Sequence, residues 1–181
     1  MPALRSKIVS HANWGVRNRA QIHYLQLRPI DGIGQPRKLP LSTDCSGWVT
    51  DCYNWAGAAD PNGRNYDGQG FTGTLLAHCK RIDRDDLKLG DLVVFGPGDG
   101  DHVVLIATRG ADPVVVSLGS EPGPIRLRLS QEAAYHRPPI RYLNGLAERP
   151  DYVPPPAREL HGAWNPPTES EELVAAAIED E

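Results

Sequence analysis

The chain has 181 residues, enough for one ordinary domain with a short extension. Apolar residues make up 40% and charged residues 23%, values that exclude a mainly disordered or fibrous protein. The net charge is −4 and no basic cluster is interleaved with aromatic residues, so nucleic-acid binding is not indicated. No apolar run approaches the roughly 20 residues that a membrane helix needs.

Charge and proline are unevenly distributed along the chain. Residues 149–181 carry eight acidic and two basic side chains together with six prolines, whereas residues 1–148 are nearly neutral. We therefore expect a domain over 1–148 and a Pro-rich acidic tail over 149–181, which acts as a linker or docks a partner. Trp164 is the aromatic residue of that tail that we expect to meet a partner.

The N-terminal third predicts two helices separated by a loop. Ala3 to Gln26 has a loose helical stripe of apolar residues, although Gly15 weakens its middle. Residues 28–42 are rich in Pro and Gly and predict a loop. A second helix is predicted over Trp48 to Ala58, with Asp44 as its N-cap.

The rest of the chain predicts a turn-rich stretch over 60–74, a short helix over 74–79 and then mostly strands. His102 to Thr108 is apolar almost throughout, which is typical of a strand buried on both faces. Helices followed by a run of antiparallel strands indicate an α+β fold. The predicted strands are 92–95, 102–108, 113–118, 125–129 and 135–143.

The strongest chemical signal is a Cys–His pair. Cys45 lies in Asp-Cys-Ser-Gly at a loop-to-helix junction, where the helix dipole and unpaired N–H groups are expected to lower the thiol pKa. His102 begins a buried strand, from which it can reach a helix N-terminus packed on the sheet. An imidazole beside a thiol is the minimal machinery of a cysteine peptidase.

These residues resemble a known family. Asp44 to Gly47 before an apolar helix, Leu89 to Phe95, and His102 to Ile106 are similar to the NlpC-type papain-like peptidases of bacterial cell walls and, more distantly, to CHAP domains. The stretches 60–63 and 68–74 resemble endolysins of phages that infect actinobacteria. The resemblance implies a papain-like α+β fold, with N-terminal helices packed on a central antiparallel sheet, and hydrolysis of an amide bond in the peptide stem or cross-bridge of peptidoglycan.

The resemblance also implies site roles. Cys45 matches the nucleophile and His102 the general base, while Tyr24 and the Cys45 N–H match the groups that stabilise the oxyanion. Asp44 caps and orients the nucleophile helix.

The third catalytic position departs from the family pattern, which usually has a His on the strand after the base. Ser117 is the first candidate, and the Glu121 carboxylate is the alternative. If Leu118 occupies the position, a water or a backbone carbonyl has to orient the imidazole.

We expect neither a metal nor a cofactor. His11, His23, His78, His136 and His161 lack a zinc-ligand spacing such as HExxH. Residues 60–71 only faintly resemble a calcium loop, because Phe71 stands where a bidentate Glu is needed.

Three further expectations concern the other cysteines, the location of the chain and the rival functions. Cys52 and Cys79 are expected to be buried packing residues. The N-terminus does not resemble a secretory signal, so we expect the chain in the host cytoplasm until lysis gives it access to the wall, or in a phage virion. The rival functions are a non-catalytic virion or tail protein that binds cell wall, and a thiol acyltransferase on the same fold.

Overall fold

The computed structural model describes residues 2–120 and 122–154. The described helices are α1 (Pro2–Arg17), α2 (Cys45–Trp55), α3 (Thr72–His78) and α4 (Leu129–Ala133). The described strands are β1 (Ile22–Tyr24), β2 (Leu41–Thr43), β3 (Cys79–Ile82), β4 (Leu92–Phe95), β5 (His102–Ile106), β6 (Val114–Ser117), β7 (Ile125–Arg128) and β8 (Ile140–Glu148). None of the helices in these ranges is long and apolar enough to cross a membrane.

The centre of the fold is a six-stranded sheet in the order β3-β8-β4-β5-β6-β7. Every neighbouring pair in it is antiparallel. Helices α1 and α2 pack on one face against β5, and this arrangement confirms the predicted α+β class. Strand β5 is buried on both faces as predicted: Val103 and Leu105 join the core under the helices, whereas Val104 and Ile106 join a smaller core with Leu129 of α4.

The N-terminal region differs from the prediction. The helix expected over 3–26 ends at Arg17, and Ile22–Tyr24 forms β1, which pairs in parallel with β2 at the end of the predicted loop 28–42. Ile22 is fully buried in this strand. An apolar residue at that spacing fits a helix and a short strand equally well, and the pairing with β2 decides between them.

Smaller differences concern the bounds of α2 and β8 and two elements that were not predicted. Helix α2 begins at Cys45 rather than Trp48. Strand β3 was not predicted and pairs with β8, which covers 140–148 rather than 135–143. The short helix α4 was not predicted either.

The predicted tail, Trp164 included, lies largely outside the described residues. Its first residues still contact the domain: the Arg149 N–H donates to the carbonyl of His78, and the Tyr152 hydroxyl donates to that of Gly63.

Helix α2 also buries a carboxyl group. Asp51 is fully buried, and neither of its oxygens has a hydrogen-bond partner among the described residues. It faces the backbone of Gly32. Burial raises the pKa of Asp51 well above its ordinary value, with nearby Asp31 adding to the effect.

Candidate active site

Cys45 lies at the corner between the end of β2 and the start of α2, and the N-cap of α2 fixes this corner. Asp44 Oδ1 accepts the Gly47 N–H at 2.7 Å and the Ser46 hydroxyl at 2.9 Å. Arg28 donates to Asp44 Oδ2 at 3.0 Å and to Ser46 Oγ at 2.9 Å. The predicted N-cap is therefore confirmed, and it sets the first turn of the helix on which the thiol stands.

Two backbone features bring Tyr24 to this corner. The parallel register of β1 and β2 places Tyr24 opposite Thr43, two residues before Cys45. A Cβ at Gly47 would collide with the Thr43 hydroxyl, so the close approach of β2 to α2 requires glycine there. The predicted neighbour of the thiol is thus held at the end of β1, and not at the end of a helix.

The Cys45 thiol is buried, with 7% of the residue exposed. Burial raises its pKa to about 11 and the Asp44 carboxylate adds to the rise, whereas the backbone N–H groups of Val103 and Ser46 act against it. The prediction that the helix N-terminus lowers this pKa is wrong, because the cost of burying the thiolate charge exceeds the stabilisation that the helix N-terminus provides. At neutral pH the thiol keeps its proton until a base removes it.

Tyr24 belongs to the same electrostatic environment. Burial raises the pKa of its hydroxyl, and the Asp44 carboxylate acts in the same direction. The hydroxyl therefore stays protonated at neutral pH and can donate a hydrogen bond.

His102 stands at the first position of β5, on which α2 packs. It is followed directly by Val103, the residue whose N–H interacts with the Cys45 sulfur. The Nε2 end of its ring lies 2.9 Å from Ser117 Oγ and 3.0 Å from Glu132 Oε1. Both polar groups approach the same ring nitrogen, so Nδ1 is left for another partner.

Glu132, in α4, was missed by the sequence analysis. It is 5% exposed, and its Oε1 also accepts the Ser117 hydroxyl at 3.0 Å and lies 2.9 Å from His136 Nε2. Burial raises the pKa of Glu132, but hydrogen bonds from His102, His136 and Ser117 outweigh burial and lower it below its ordinary value. A carboxylate is therefore charged beside the imidazole at neutral pH.

His136 was also missed, and it stacks on His102. The two ring centroids are 4.7 Å apart with planes 12° from parallel, and Phe95, whose ring centroid lies 6.4 Å from that of His102, also stacks on His136 at 4.8 Å. The nitrogens of both histidines and the Glu132 oxygen lie within 4.8 Å of one another. Glu132 lies in α4 and His136 in the turn that follows it, and the four-residue spacing between a carboxylate and a histidine is the sequence signal that would have suggested their pairing.

The remaining predicted residues fall elsewhere. Leu118 packs in the core under the helices, so Ser117 rather than Leu118 faces the imidazole. Glu121 lies outside the described residues. Cys52 and Cys79 are fully buried and free, as expected of packing residues.

The carboxylates of the turn-rich stretch 60–74 contact groups within the same stretch. Asp60 accepts the N–H groups of Asn62 and Tyr66, and Asp67 pairs with Arg64. Turn formation therefore accounts for the carboxylates that faintly suggested a calcium loop.

Comparisons with known proteins give a family match and two similar solved structures. Residues 32–112, which include both Cys45 and His102, match the NlpC/P60 family. The solved NlpC/p60 domain of the peptidoglycan hydrolase SagA is 19% identical with a TM-score of 0.51, covering 77% of this chain and 97% of that one. The peptidoglycan hydrolase RipB from Mycobacterium tuberculosis is 16% identical with a TM-score of 0.48, covering 78% of this chain and 66% of that one. A search of curated protein sequences finds no significant match.

Proposed function

We propose that this chain, which carries an NlpC/P60 domain match over residues 32–112, is a cysteine peptidase that hydrolyses an amide bond in the peptide part of peptidoglycan. The family match and the SagA fold support cell-wall hydrolysis in general. The observation that supports cysteine chemistry is the placement of Cys45 at the N-terminus of α2, packed against the strand that begins with His102.

Catalysis begins with removal of the thiol proton. Because burial keeps Cys45 protonated at neutral pH, the attack needs His102 as a general base. Ser117 and Glu132 bind the Nε2 end of the ring, so Nδ1 takes the proton as Sγ attacks the carbonyl carbon. The charged Glu132 stabilises the imidazolium that forms, and Ser117 adds a neutral hydrogen bond to the same nitrogen.

The attack produces a tetrahedral intermediate with a negative oxygen. The Cys45 N–H and the Tyr24 hydroxyl are the donors that we assign to it. The imidazolium then protonates the amine that leaves, and water hydrolyses the remaining thioester to release the acid and restore the thiol.

The natural setting follows from the sequence resemblance alone. Stretches 60–63 and 68–74 support an endolysin from a phage of actinobacteria, acting on the wall from the host cytoplasm after lysis or from the virion. The acidic tail is the segment that we expect to dock a phage structural protein.

The experiment that tests the function is mass spectrometry of soluble fragments released from purified actinobacterial peptidoglycan. We expect the wild type to create new amine termini within the stem peptide or cross-bridge, which identifies the bond. Cys45→Ala is expected to release nothing, while Cys52→Ala, the same change two helical turns further along α2, retains release.

Each other outcome refutes part of the proposal. Release by Cys45→Ala equal to that of the wild type would contradict the nucleophile. No release by a folded wild type that still binds the wall would favour the non-catalytic virion protein. Incorporation of an added amine into the product would favour an acyltransferase.

A further inference from the structure

We propose that His136 is a positioning residue of the catalytic site, which acts through two neighbours: its Nε2 holds the Glu132 carboxylate and the face of its ring holds the His102 imidazole. This role rests on the proposed function, since His102 is the base of that mechanism. The sequence resemblance assigned no role to His136.

The first contact fixes the direction of the Glu132 carboxylate. His136 Nε2 lies 2.9 Å from Glu132 Oε1, and His102 Nε2 and Ser117 Oγ both lie 3.0 Å from the same oxygen. Because a charged carboxylate only accepts hydrogen bonds, His136 Nε2 is the donor. A glutamate carboxylate otherwise has a broad choice of orientations, and the helix that carries Glu132 has only five residues. The hydrogen bond from His136 therefore helps to keep Oε1 at the His102 nitrogen.

The second contact fixes the plane of the His102 ring. The His102 and His136 rings are 12° from parallel with centroids 4.7 Å apart, and Phe95 stacks on His136 at 4.8 Å. These separations lie in the range of offset-stacked aromatic rings. The plane of the His102 ring decides where Nδ1 points, and Nδ1 is the atom that takes the Cys45 proton in the proposed mechanism. Stacking on His136 thus sets the direction of proton transfer.

An ion pair one residue further along fixes the backbone on which His136 stands. Arg137 donates to Asp101 Oδ2 at 2.7 Å and to Oδ1 at 3.1 Å. Asp101 directly precedes His102 and Arg137 directly follows His136, so the two segments are joined at adjacent positions. The pair is exposed, and such a pair contributes little to stability. Its effect is to hold the turn after α4 beside the start of β5.

Two substitutions separate the two contacts. His136→Phe keeps a ring for stacking and removes the donor to Glu132, whereas His136→Gln keeps an amide donor and removes the ring. Each is expected to lower kcat in the fragment-release assay by roughly 2- to 13-fold, the range for one hydrogen bond or one stacked pair. KM is expected to stay at the wild-type value, because His136 is assigned no contact with the substrate. Wild-type kcat in either variant, shown by circular dichroism to be folded, would overturn the contact that the variant removes, and wild-type kcat in both would overturn the whole role.

A double variant tests whether His136 acts through Glu132. In Glu132→Gln the charge that the His136 donor meets is absent, so adding His136→Phe is expected to lower kcat by less than about 2-fold further. An equal loss in both backgrounds would mean that His136 acts independently of Glu132, and it would overturn the inference. His78→Phe is the matched control and is expected to keep the wild-type kcat. His78 also pairs with a glutamate, Glu148 at 3.5 Å, and packs on Tyr152 elsewhere on the domain.

Alkylation of Cys45 by iodoacetamide keeps this test separate from the proposed function. The reaction needs the thiolate but no peptidoglycan, and mass spectrometry distinguishes a label on Cys45 from one on the fully buried Cys52 and Cys79. We expect both His136 variants to slow alkylation at neutral pH, because a misplaced His102 removes the thiol proton less well. A folded wild type that releases no fragments would refute the peptidase, and alkylation would then decide the role of His136: slower labelling in the variants supports it, and equal rates overturn it.

Discussion

Replacing Glu132 by Gln tests which group supports the catalytic imidazole. The substitution keeps the size of the side chain and an oxygen that can accept from His102 Nε2, but it removes the buried charge. Glu132 Oε1 lies 3.0 Å from that nitrogen, close enough for a charge-assisted hydrogen bond. Ser117 Oγ is equally near at 2.9 Å but carries no charge.

The two contacts predict different losses. A hydrogen bond to a charged group contributes about 1.5–3 kcal/mol, so Glu132→Gln is expected to lower kcat/KM by roughly 10- to 150-fold. A neutral hydrogen bond contributes about 0.5–1.5 kcal/mol, so Ser117→Ala is expected to lower it by roughly 2- to 13-fold. Because the lost interaction forms fully only with the imidazolium, the loss is expected in kcat rather than in KM.

The assay is the initial rate of fragment release from peptidoglycan over a range of substrate concentrations, with circular dichroism to confirm folding. Glu148→Gln is the matched control, since Glu148 pairs with His78 at 3.5 Å elsewhere on the domain. It is expected to leave the rate unchanged. Wild-type kinetics in Glu132→Gln, or a larger loss in Ser117→Ala than in Glu132→Gln, would refute the assignment of the charge to Glu132.

Two further predictions concern Tyr24 and Asp51. Tyr24→Phe is expected to lower kcat by about 10²-fold with little change in KM, because one oxyanion donor is removed; steady-state kinetics at the wild-type rate would exclude that role. Because the pKa of Asp51 is raised, the folded chain binds the carboxyl proton more tightly than the unfolded chain does. The protonated carboxyl therefore contributes to stability below the unfolded pKa of about 3.9, and this contribution is lost as the pH rises through the folded pKa. Asp51→Asn is therefore expected to raise the free energy of unfolding at pH 8 by about 1–3 kcal/mol, with a smaller gain near pH 4, and urea titrations that show the same gain at both pH values would contradict this.

The parts of the site that could be predicted from the sequence are formed by residues that are adjacent in the chain. The sequence from Asp44 to Gly47 is typical of a capped helix start, and His102 begins an apolar run that is long enough to predict a strand. Both features depend on local chemistry, which is why the structure places the cap and the strand start where the pattern predicts them.

The parts that were missed depend on contacts between distant segments. Strands β1 and β2 have three residues each, and nothing in so short a stretch indicates a partner. Glu132 follows His102 by 30 residues and sits on a five-residue helix, so its approach to the imidazole is set by how β6, β7 and α4 turn back on the sheet. The thiol pKa was misjudged for a related reason, since burial is a property of the packed structure.

The position of β8 affects when the sheet can form during synthesis of the chain. Although β8 comes last among the described strands, it lies between β3 and β4 in the sheet. A nascent chain that ends before residue 140 exposes an unpaired edge on β4 and leaves β3 without a neighbour. The sheet is therefore complete only after β8 has left the ribosome. A truncated translation product would carry Cys45 on a domain whose central sheet lacks that strand.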